Sequence, residues 1–311
     1  MFQTFRTLPE LFAAFPTEQS AVDHFTAIRW ADGKFCPLCG CADDAKIGRM
    51  SKGGELTNQY KCYACREKFS FRVGTIFQDT KLPLRTWYAA IWMITAHPKG
   101  IASTTLATDL GITQKTAWFV LHRLRFAART KSFNAPLKGE VAVDETAIGG
   151  KEKNKHASKR KHQGRGSVGK IIAMGFVEKG GEVRATVIDD VDGPTFKAEV
   201  RANVAAGSIL VTDESAAYNG LKAEYARKTV NHSAGVYVTA DGFSTNGVES
   251  LWALFKRQYH GTHHWVSGKH MNAYLGEMTY RLNRSDMRKG DRVNNLLSQT
   301  EGPLPYKVLI A

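Results

Sequence analysis

The sequence predicts an α/β fold with a mixed sheet and flanking helices, preceded by a small zinc-binding module and an all-helical segment. All five cysteines fall between Cys36 and Cys65, and residues 83–130 have the apolar periodicity of helices. From Gly139 the pattern changes to short β-rich runs, and after Thr245 it becomes helical again. The predicted strands are Glu140–Ile148, Lys170–Val177, Val183–Ile188 and Ser208–Thr212. Strands with interleaved and following helices are typical of α/β domains.

These changes in composition divide the 311 residues into four predicted segments. Residues 1–80 hold N-terminal helices and a zinc ribbon, and residues 81–135 hold a helix-turn-helix domain. Residues 136–290 form the α/β domain, and residues 291–311 form a C-terminal tail. With 43% hydrophobic residues, a chain of this length can bury at least one large core.

The charge balance favours polyanionic partners. The 43 Lys and Arg residues outnumber the 29 Asp and Glu residues, which gives a formal charge of +14. Nucleic acid is the first candidate, because basic proteins gain affinity from counterion release and electrostatic steering. An anionic membrane surface is the rival, but the longest apolar run, Trp87–Ala96, is too short to span a bilayer. Arg6 and Glu10 interrupt the N-terminal region, so we expect a soluble, cytoplasmic protein.

The cysteines form two CxxC pairs, Cys36/Cys39 and Cys62/Cys65, with 22 residues between them. Each pair suits a tight knuckle turn, so four thiolates can converge on one Zn²⁺ ion. Cys41 could replace Cys39 as a ligand, and reduced structural or redox cysteines are the alternatives to a metal site. A closed four-cysteine site has no open position for substrate, so we expect this ion to be structural.

Residues 103–125 have the pattern of a helix-turn-helix. Leu106, Ala107 and Leu110 share one helix face, and Gly111 permits a sharp turn before the second helix. The N-terminal end of a second helix is where recognition helices meet base edges. The alternative is an ordinary helical hairpin within a bundle. We predict base contacts from Gln114 and Lys115, with Trp118 as a weaker candidate, and phosphate contacts from Arg123 and Arg125.

Two aspartates lie within or after apolar strands. Asp144 interrupts the run Val141–Ile148, and Asp213 follows the strand beginning at Ile209. A carboxylate in such a position is costly unless a partner or a metal compensates its charge. Glu145 and Glu214 follow the aspartates, and successive strand residues face opposite sides of a sheet. If the aspartates point into a site, these glutamates point away from it.

A third acid, Glu249, begins a predicted amphipathic helix. Lys256 lies two turns further along on the same side, where it could meet a phosphate. Three carboxylates suit Mg²⁺ ions, which prefer oxygen ligands and keep open positions for water and phosphate. Two such ions would support in-line displacement at a phosphodiester. The alternative for Glu249 is a capping box with Asn246.

Taken together, these motifs resemble the DDE transposases of bacterial insertion sequences that carry an N-terminal zinc ribbon and helix-turn-helix. The resemblance covers nearly the whole chain. It rests on Arg29-Trp30, Cys36-Pro-Leu-Cys39-Gly, Gly74-Thr-Ile-Phe77, Lys81-Leu-Pro-Leu-Arg-Thr-Trp87, Val143-Asp-Glu-Thr146, Gly149-Gly-Lys151, Thr212-Asp-Glu-Ser215, Val230-Asn-His-Ser233, Asn246-Gly-Val-Glu-Ser250 and Lys256-Arg257.

The resemblance implies a ribonuclease H-like core that cuts element ends at terminal inverted repeats and joins the freed 3′-OH to target DNA. It implies two Mg²⁺ or Mn²⁺ ions at the catalytic site and a homodimer or larger assembly on DNA. Asp144 and Asp213 match the first two acids of the family. For the third, the interpretation is Glu249 with Asn246 beside it. Some relatives combine the asparagine with a downstream pair that Glu277 and Arg281 would match, although these two also fit an i,i+4 surface salt bridge.

Residues 151–170 contain eight Lys and Arg residues against one acid and read as a flexible basic loop. We predict that the loop, with Lys159, Arg160 and Lys161 at its centre, contacts DNA phosphate without reading sequence. A merely solvated loop is the alternative. His232, His263 and His264 are weaker candidates for a DNA groove. Two rival functions remain, a DNA-binding regulator with a relic catalytic domain and a ribonuclease H-like nuclease without strand transfer.

Overall fold

A computed structural model of the protein describes residues 3–129, 135–150, 154–156, 158, 160, 169–231 and 238–311. The chain forms two compact units, one from residues 1–130 with 284–311 and one from residues 131–283. The last 28 residues therefore belong to the N-terminal unit, whereas the sequence suggested a separate tail after residue 290. None of the described helices is long and apolar enough to cross a membrane.

The first unit begins with two capped helices and a three-stranded sheet. The hydroxyl of Thr7 accepts a hydrogen bond from the main chain of Glu10, and Thr17 forms a capping box with Ser20. The sheet is antiparallel in the order β1-β2-β3. These elements are α1 (Leu8–Ala14), α2 (Glu18–Arg29), β1 (Ile47–Lys52), β2 (Glu55–Cys62) and β3 (Lys68–Ser70).

Among the described residues, this unit contains five further α-helices. The first of them is buried along most of its length, as its apolar sequence predicts. Gly111 lies between the next two helices with φ +63°, a conformation that glycine adopts without steric cost. Glu301 forms a bridge with Thr75 and an ion pair with Arg29, which explains why the C-terminal residues join this unit. The helices are α3 (Leu84–Ala96), α4 (Ser103–Leu110), α5 (Gln114–Arg129), α9 (Lys289–Leu297) and α10 (Tyr306–Ile310).

The second unit is a five-stranded mixed sheet in the order β6-β5-β4-β7-β8. Strand β5 is antiparallel to β4 and β6, whereas β7 is parallel to β4 and β8. Helix α6 covers one face, and α7 and α8 cover the other. The elements are β4 (Glu140–Ile148), β5 (Ile171–Glu178), β6 (Val183–Ile188), α6 (Gly193–Asn203), β7 (Ile209–Thr212), β8 (Ala226–Thr229), α7 (Asn246–Gln258) and α8 (Gly268–Asn283). This architecture confirms the predicted ribonuclease H-like α/β fold class.

The central strand β4 divides its side chains between two hydrophobic cores. Val141 and Val143 pack on the α6 side, whereas Ala142 and Ile148 pack on the side of α7 and α8. This alternation follows from the two-residue period of a β-strand. It fixes the side to which any polar residue in the strand points, and so it positions the candidate site.

Candidate active site and zinc centre

The four predicted zinc ligands lie together in the first unit. The Sγ atoms of Cys36, Cys39, Cys62 and Cys65 all lie within 4.8 Å of one another, and all five cysteines are free. Cys41 lies outside this group, and its carbonyl oxygen instead accepts a hydrogen bond from the main chain of Cys36 at 2.8 Å. The arrangement fits a closed structural zinc site and favours Cys39 over Cys41 as the ligand.

Asp144 and Asp213 lie next to each other on the sheet. Strands β4 and β7 run in parallel, and their last registered pair is Ala142 with Val211. Asp144 comes two residues after Ala142, and Asp213 comes two residues after Val211, so the register brings the two aspartates side by side. Ala142 and Val211 both pack in the core below α7 and α8. Because side chains alternate within β4, Asp144 points to this same face. Asp213 lies just beyond the end of β7, close enough for its charge to act on Asp144.

Helix α7 brings Glu249 to that face. The helix lies close to the sheet because β5 has a glycine where it passes. A Cβ atom on Gly175 would lie 2.7 Å from Cζ2 of Trp252, and Gly175 is the cross-strand partner of Asp144. The sheet therefore accepts the helix directly beside the first aspartate.

The capping-box alternative for Glu249 is not formed as expected. The N-cap residue of α7 is Thr245, and Asn246 is the first residue of the helix. The hydroxyl of Thr245 donates a hydrogen bond to Oε1 of Glu249 at 3.0 Å. Glu249 is half-buried.

The carboxylates interact through their charges. Burial raises the pKa of Asp144 from 3.8 to about 7, and the nearby charges of Glu145, Asp213 and Glu249 add to the rise. The site thus gathers more negative charge than the surrounding protein compensates. Divalent cations held by carboxylate oxygens would supply the missing positive charge, so the donor set fits Mg²⁺ or Mn²⁺.

The spacing of the acids differs from that of the cysteines. Among the residues that the structure describes, the acids do not form a comparably tight group of metal-ligating atoms. A pair of ions separated by about 4 Å does not require every acid to reach the same ion.

Arg227 holds the loop that carries Asp213. Its Nε donates to Oγ1 of Thr212 at 3.0 Å, and its Nη2 donates to the carbonyl oxygens of Asp213 and Ser215, each at 3.0 Å. Its Nη1 donates to Oδ1 of Asn219 at 2.9 Å. One guanidinium therefore connects the end of β7 with three residues of the loop that follows it. In addition, the main-chain N–H of Ser215 donates to Oδ1 of Asp213 at 3.0 Å.

Glu145 points to the opposite face from Asp144, as the strand alternation predicts. The Tyr218 hydroxyl donates a hydrogen bond to its Oε2 at 3.0 Å. Burial raises the pKa of Glu145 above its ordinary value, although this hydrogen bond opposes the rise. Burial also raises the pKa of Tyr218. Glu214 is exposed, so neither glutamate takes the place of its neighbouring aspartate.

The remaining candidates on α7 and α8 divide by exposure. Asn246 and Lys256 are exposed on α7. Glu277 and Arg281 form an ion pair, but it is buried, with only 2% and 5% of the two residues exposed. The alternative of an i,i+4 salt bridge is therefore right about the pairing and wrong about its location at the surface. Arg281 also donates from Nη2 to Oε1 of Gln258 at 2.7 Å, which commits its side chain to the interior.

The predicted DNA-contacting residues of α5 also differ in their exposure. Gln114 and Lys115 are exposed at its N-terminal end. Arg123 and Arg125 are buried, and Arg123 donates to the carbonyl oxygens of Ile76 and Gln78, each at 2.8 Å. A guanidinium enclosed in this way cannot also face a phosphate, so the predicted phosphate contacts of both arginines are corrected. Arg123 instead has a structural role.

The basic loop is described only in part. Lys159, Lys161 and His232 lie outside the described residues. Arg160 is exposed, and its Nε donates to the carbonyl oxygen of Lys155 at 2.8 Å. His263 stacks edge-on against Tyr274 with ring centroids 4.7 Å apart, whereas His264 is exposed.

Sequence reasoning missed Arg227 and Gly175. A glycine inside an apolar β-run is a signal of close approach by another element, and Gly175 interrupts such a run. Arg227 has no comparable signal, because its four acceptors include three from the loop after β7 and become neighbours only when β8 pairs with β7.

Comparisons with known proteins agree with this architecture. Residues 136–283 match the ISXO2-like transposase domain family, and residues 16–68 match the transposase zinc-ribbon domain family. An uncharacterized protein of the transposable element ISH50 from Halobacterium salinarum is 25% identical over 289 residues, covering 88% of this chain and 93% of the relative.

Two solved structures are similar at low identity. A pre-cleavage Mos1 transpososome has 12% identity, with 69% of this chain and 79% of that chain covered and a TM-score of 0.26. A Mos1 strand transfer complex has 13% identity, with 68% and 75% covered and a TM-score of 0.27.

Proposed function

Because the chain belongs to the DDE transposases that combine a zinc ribbon with an ISXO2-like transposase domain, we propose that it cleaves and transfers DNA strands at its element's terminal inverted repeats. The observation that carries this proposal is the half-buried Asp144 carboxyl, on which the charges of Asp213 and Glu249 act. The raised pKa of Asp144 supports a partly enclosed cation-binding site rather than a set of surface acids.

In this proposal the three carboxylates hold two Mg²⁺ or Mn²⁺ ions. When bound, the ions would activate the attacking oxygen and stabilise the leaving oxygen during in-line displacement. Asp144 and Asp213 orient the site from the rigid sheet, and Arg227 keeps the Asp213 loop in place. Glu249 completes the set from α7, with Asn246 one helical turn earlier.

Glu249 is a better third acid than Glu277. Glu277 is buried and already paired with Arg281, so recruiting it to a metal would leave a buried guanidinium without its partner. Glu249 is half-buried on the helix that passes Gly175. Lys256 is exposed two turns further along α7, where it can contact a DNA phosphate.

The proposed partner is double-stranded DNA, both at the element ends and at the target. The formal charge of +14 supports binding to a polyanion, and the exposed Gln114 and Lys115 are available to meet base edges. Arg160, with Lys159 and Lys161 in the same loop, would contribute phosphate contacts. Because a transposase must bring two ends together, we propose a homodimer or larger assembly on DNA.

The zinc ribbon completes the proposal with one structural Zn²⁺ ion. The clustered thiols of Cys36, Cys39, Cys62 and Cys65 fit this ion, and a closed four-thiolate site leaves no position for a substrate. Zinc would therefore fold the ribbon without taking part in strand cleavage.

The proposal is tested by replacing single acids in the zinc-loaded protein. We expect Asp144→Asn to abolish Mg²⁺-dependent cleavage of end-containing DNA while DNA affinity remains nearly unchanged. Glu214→Gln is the matched control, because this exposed acid follows Asp213 directly and should leave cleavage intact. Full activity in Asp144→Asn would overturn the metal-site assignment.

Two further comparisons separate the alternatives. Glu249→Gln and Asn246→Ala, assayed separately, identify the third ligand as the position whose loss is more damaging. Wild-type protein that binds the ends but never cuts them would indicate a DNA-binding regulator. Cleavage without joining to a target would indicate a nuclease.

A further inference from the structure

Trp265 is exposed to an unusual degree for a tryptophan. In the described part of the chain it is the most exposed large hydrophobic residue, with 72% of its surface open, whereas Trp252 in the same unit is 3% exposed. Burying an indole ring contributes a large favourable free energy, which an exposed ring does not obtain. The exposure of Trp265 therefore indicates a contact that the isolated chain does not make. We propose that Trp265 stacks on an unpaired base of the DNA strand that the catalytic unit holds.

The position of Trp265 supports this inference, which rests on the proposed function. Trp265 lies three residues before Gly268, where a Cβ atom would be 3.6 Å from Cδ1 of Ile171. Ile171 pairs with Ile148 at the C-terminal end of β4, four residues after Asp144. Four residues span roughly 13 Å of strand. A DNA strand covers that distance in about four steps of 3.4 Å, so the stacked base would lie within a few nucleotides of the reacting phosphate.

The charge around Trp265 favours a nucleic acid over a protein partner. The chain has no acidic residue between Glu249 and Glu277. The same stretch carries seven Lys, Arg and His side chains, namely Lys256, Arg257, His260, His263, His264, Lys269 and His270. An aromatic side chain within a basic, acid-free segment is the combination that single-strand binding proteins use.

The turn that carries Trp265 is anchored from the interior. A π-helical turn, Tyr259–His263, follows α7, and Nε2 of Gln258 lies 3.2 Å from Nε2 of His263. Gln258 is fully buried and accepts a hydrogen bond from Arg281. His264 then takes a positive φ of 60°, and the main-chain N–H of Trp265 donates to the carbonyl oxygen of His263 at 2.7 Å. This fixed turn holds the indole outward before any ligand binds, which lowers the entropic cost of stacking.

The base must be unpaired because the faces of paired bases are covered by their neighbours in the duplex. An enzyme that contacts a base face needs that base to leave the stack. Every base has a π-face, so stacking on Trp265 would tolerate any sequence. This contact would therefore hold a strand near the reacting phosphate without adding to end recognition.

The experiment compares DNA binding by tryptophan variants in an Asp144→Asn background, so that no probe is cut. The probes are a blunt duplex and the same duplex with a short single-stranded overhang that contains 2-aminopurine. We expect protein with Trp265 to prefer the overhang and to quench the 2-aminopurine. Trp265→Ala should bind the overhang about 5- to 150-fold more weakly, with little change on the blunt duplex, and should lose the quenching.

Two further variants control for other causes. Trp265→Phe keeps an aromatic face and should restore most of the preference. Tyr63→Ala removes an aromatic residue that is 60% exposed in the zinc ribbon and should leave the preference unchanged. Equal loss on both probes, or a change in oligomeric state without loss of quenching, would overturn the stacking assignment. Neither result would affect the cleavage assay on which the proposed function depends.

Discussion

The strongest prediction is that Asp144 costs stability when the catalytic metal is absent. Its pKa rises from 3.8 to about 7 in the folded protein, chiefly because burial disfavours the charged form. The neutral carboxyl is therefore favoured by folding, and ionisation opposes it. In metal-free protein the destabilisation should grow as the pH rises from about 4 to about 7 and should be complete above that range.

The size of the effect follows from the same shift. Moving a pKa from 3.8 to about 7 corresponds to about 4 kcal/mol, which is an upper limit because Asp144 retains partial solvent contact. We expect Asp144→Asn to stabilise the metal-free catalytic unit by about 2 to 4 kcal/mol at pH 8 and by almost nothing at pH 4. Asparagine matches the shape of aspartate and has no charge to desolvate.

Native-state hydrogen exchange of the β4 amides, on full-length zinc-loaded protein, reports on this unit by itself. Adding Mg²⁺ should reverse the sign of the stability difference between Asp144→Asn and the wild-type protein. Wild-type protein should then gain stability with metal concentration, and Asp144→Asn should gain much less. If Asp144→Asn instead destabilises the Mg²⁺-free protein at pH 8, the argument is refuted, because other groups of the protein would then compensate the negative charge of Asp144.

Three further predictions concern the supports of the two metal sites. Arg227→Ala should lower the stability of the catalytic unit by about 2 to 4 kcal/mol and weaken its Mg²⁺-dependent protection in hydrogen exchange. Arg227→Lys should have an intermediate effect. An unchanged Mg²⁺ affinity would show that Arg227 does not position the metal site. Gly175→Ala should lower the free energy of unfolding by about 1 to 3 kcal/mol and reduce cleavage, and adding Trp252→Phe to this variant should recover part of both losses. No effect of Gly175→Ala would contradict the close packing of α7 against β5. Cys62→Ser should release zinc and unfold the ribbon, as measured by zinc release and circular dichroism, while Mg²⁺-dependent protection of β4 persists.

The zinc ligands and the two aspartates could be predicted because their signals are local. The spacing within each CxxC pair limits the knuckle geometry, and the clustering of Cys36 to Cys65 indicates one module. For Asp144 and Asp213, an acid within or directly after an apolar strand already indicates that its charge needs compensation. The structure clusters the four thiols, and it pairs β4 with β7 up to two residues before each aspartate.

The arginines show where local patterns fail. Arg123 and Arg125 lie within the predicted recognition helix, and their spacing fits phosphate contact as well as it fits burial. Arg123 is buried because carbonyl oxygens of residues 76 and 78, distant in sequence, converge on its guanidinium. The pair Glu277/Arg281 was misjudged for the same reason, since an i,i+4 spacing does not reveal whether a helix face meets solvent or a core.

The amino-acid sequence by itself determined the fold class, the zinc ligand set and the alternation that sends Asp144 and Glu145 to opposite faces. These properties depend on periodicity and on residue chemistry within a few positions. Only the tertiary structure decided that Asp144 and Asp213 are neighbours, that Gly175 admits α7 and that Arg227 fixes the Asp213 loop. Each of these depends on strand order and helix approach, which bring together residues far apart in the chain.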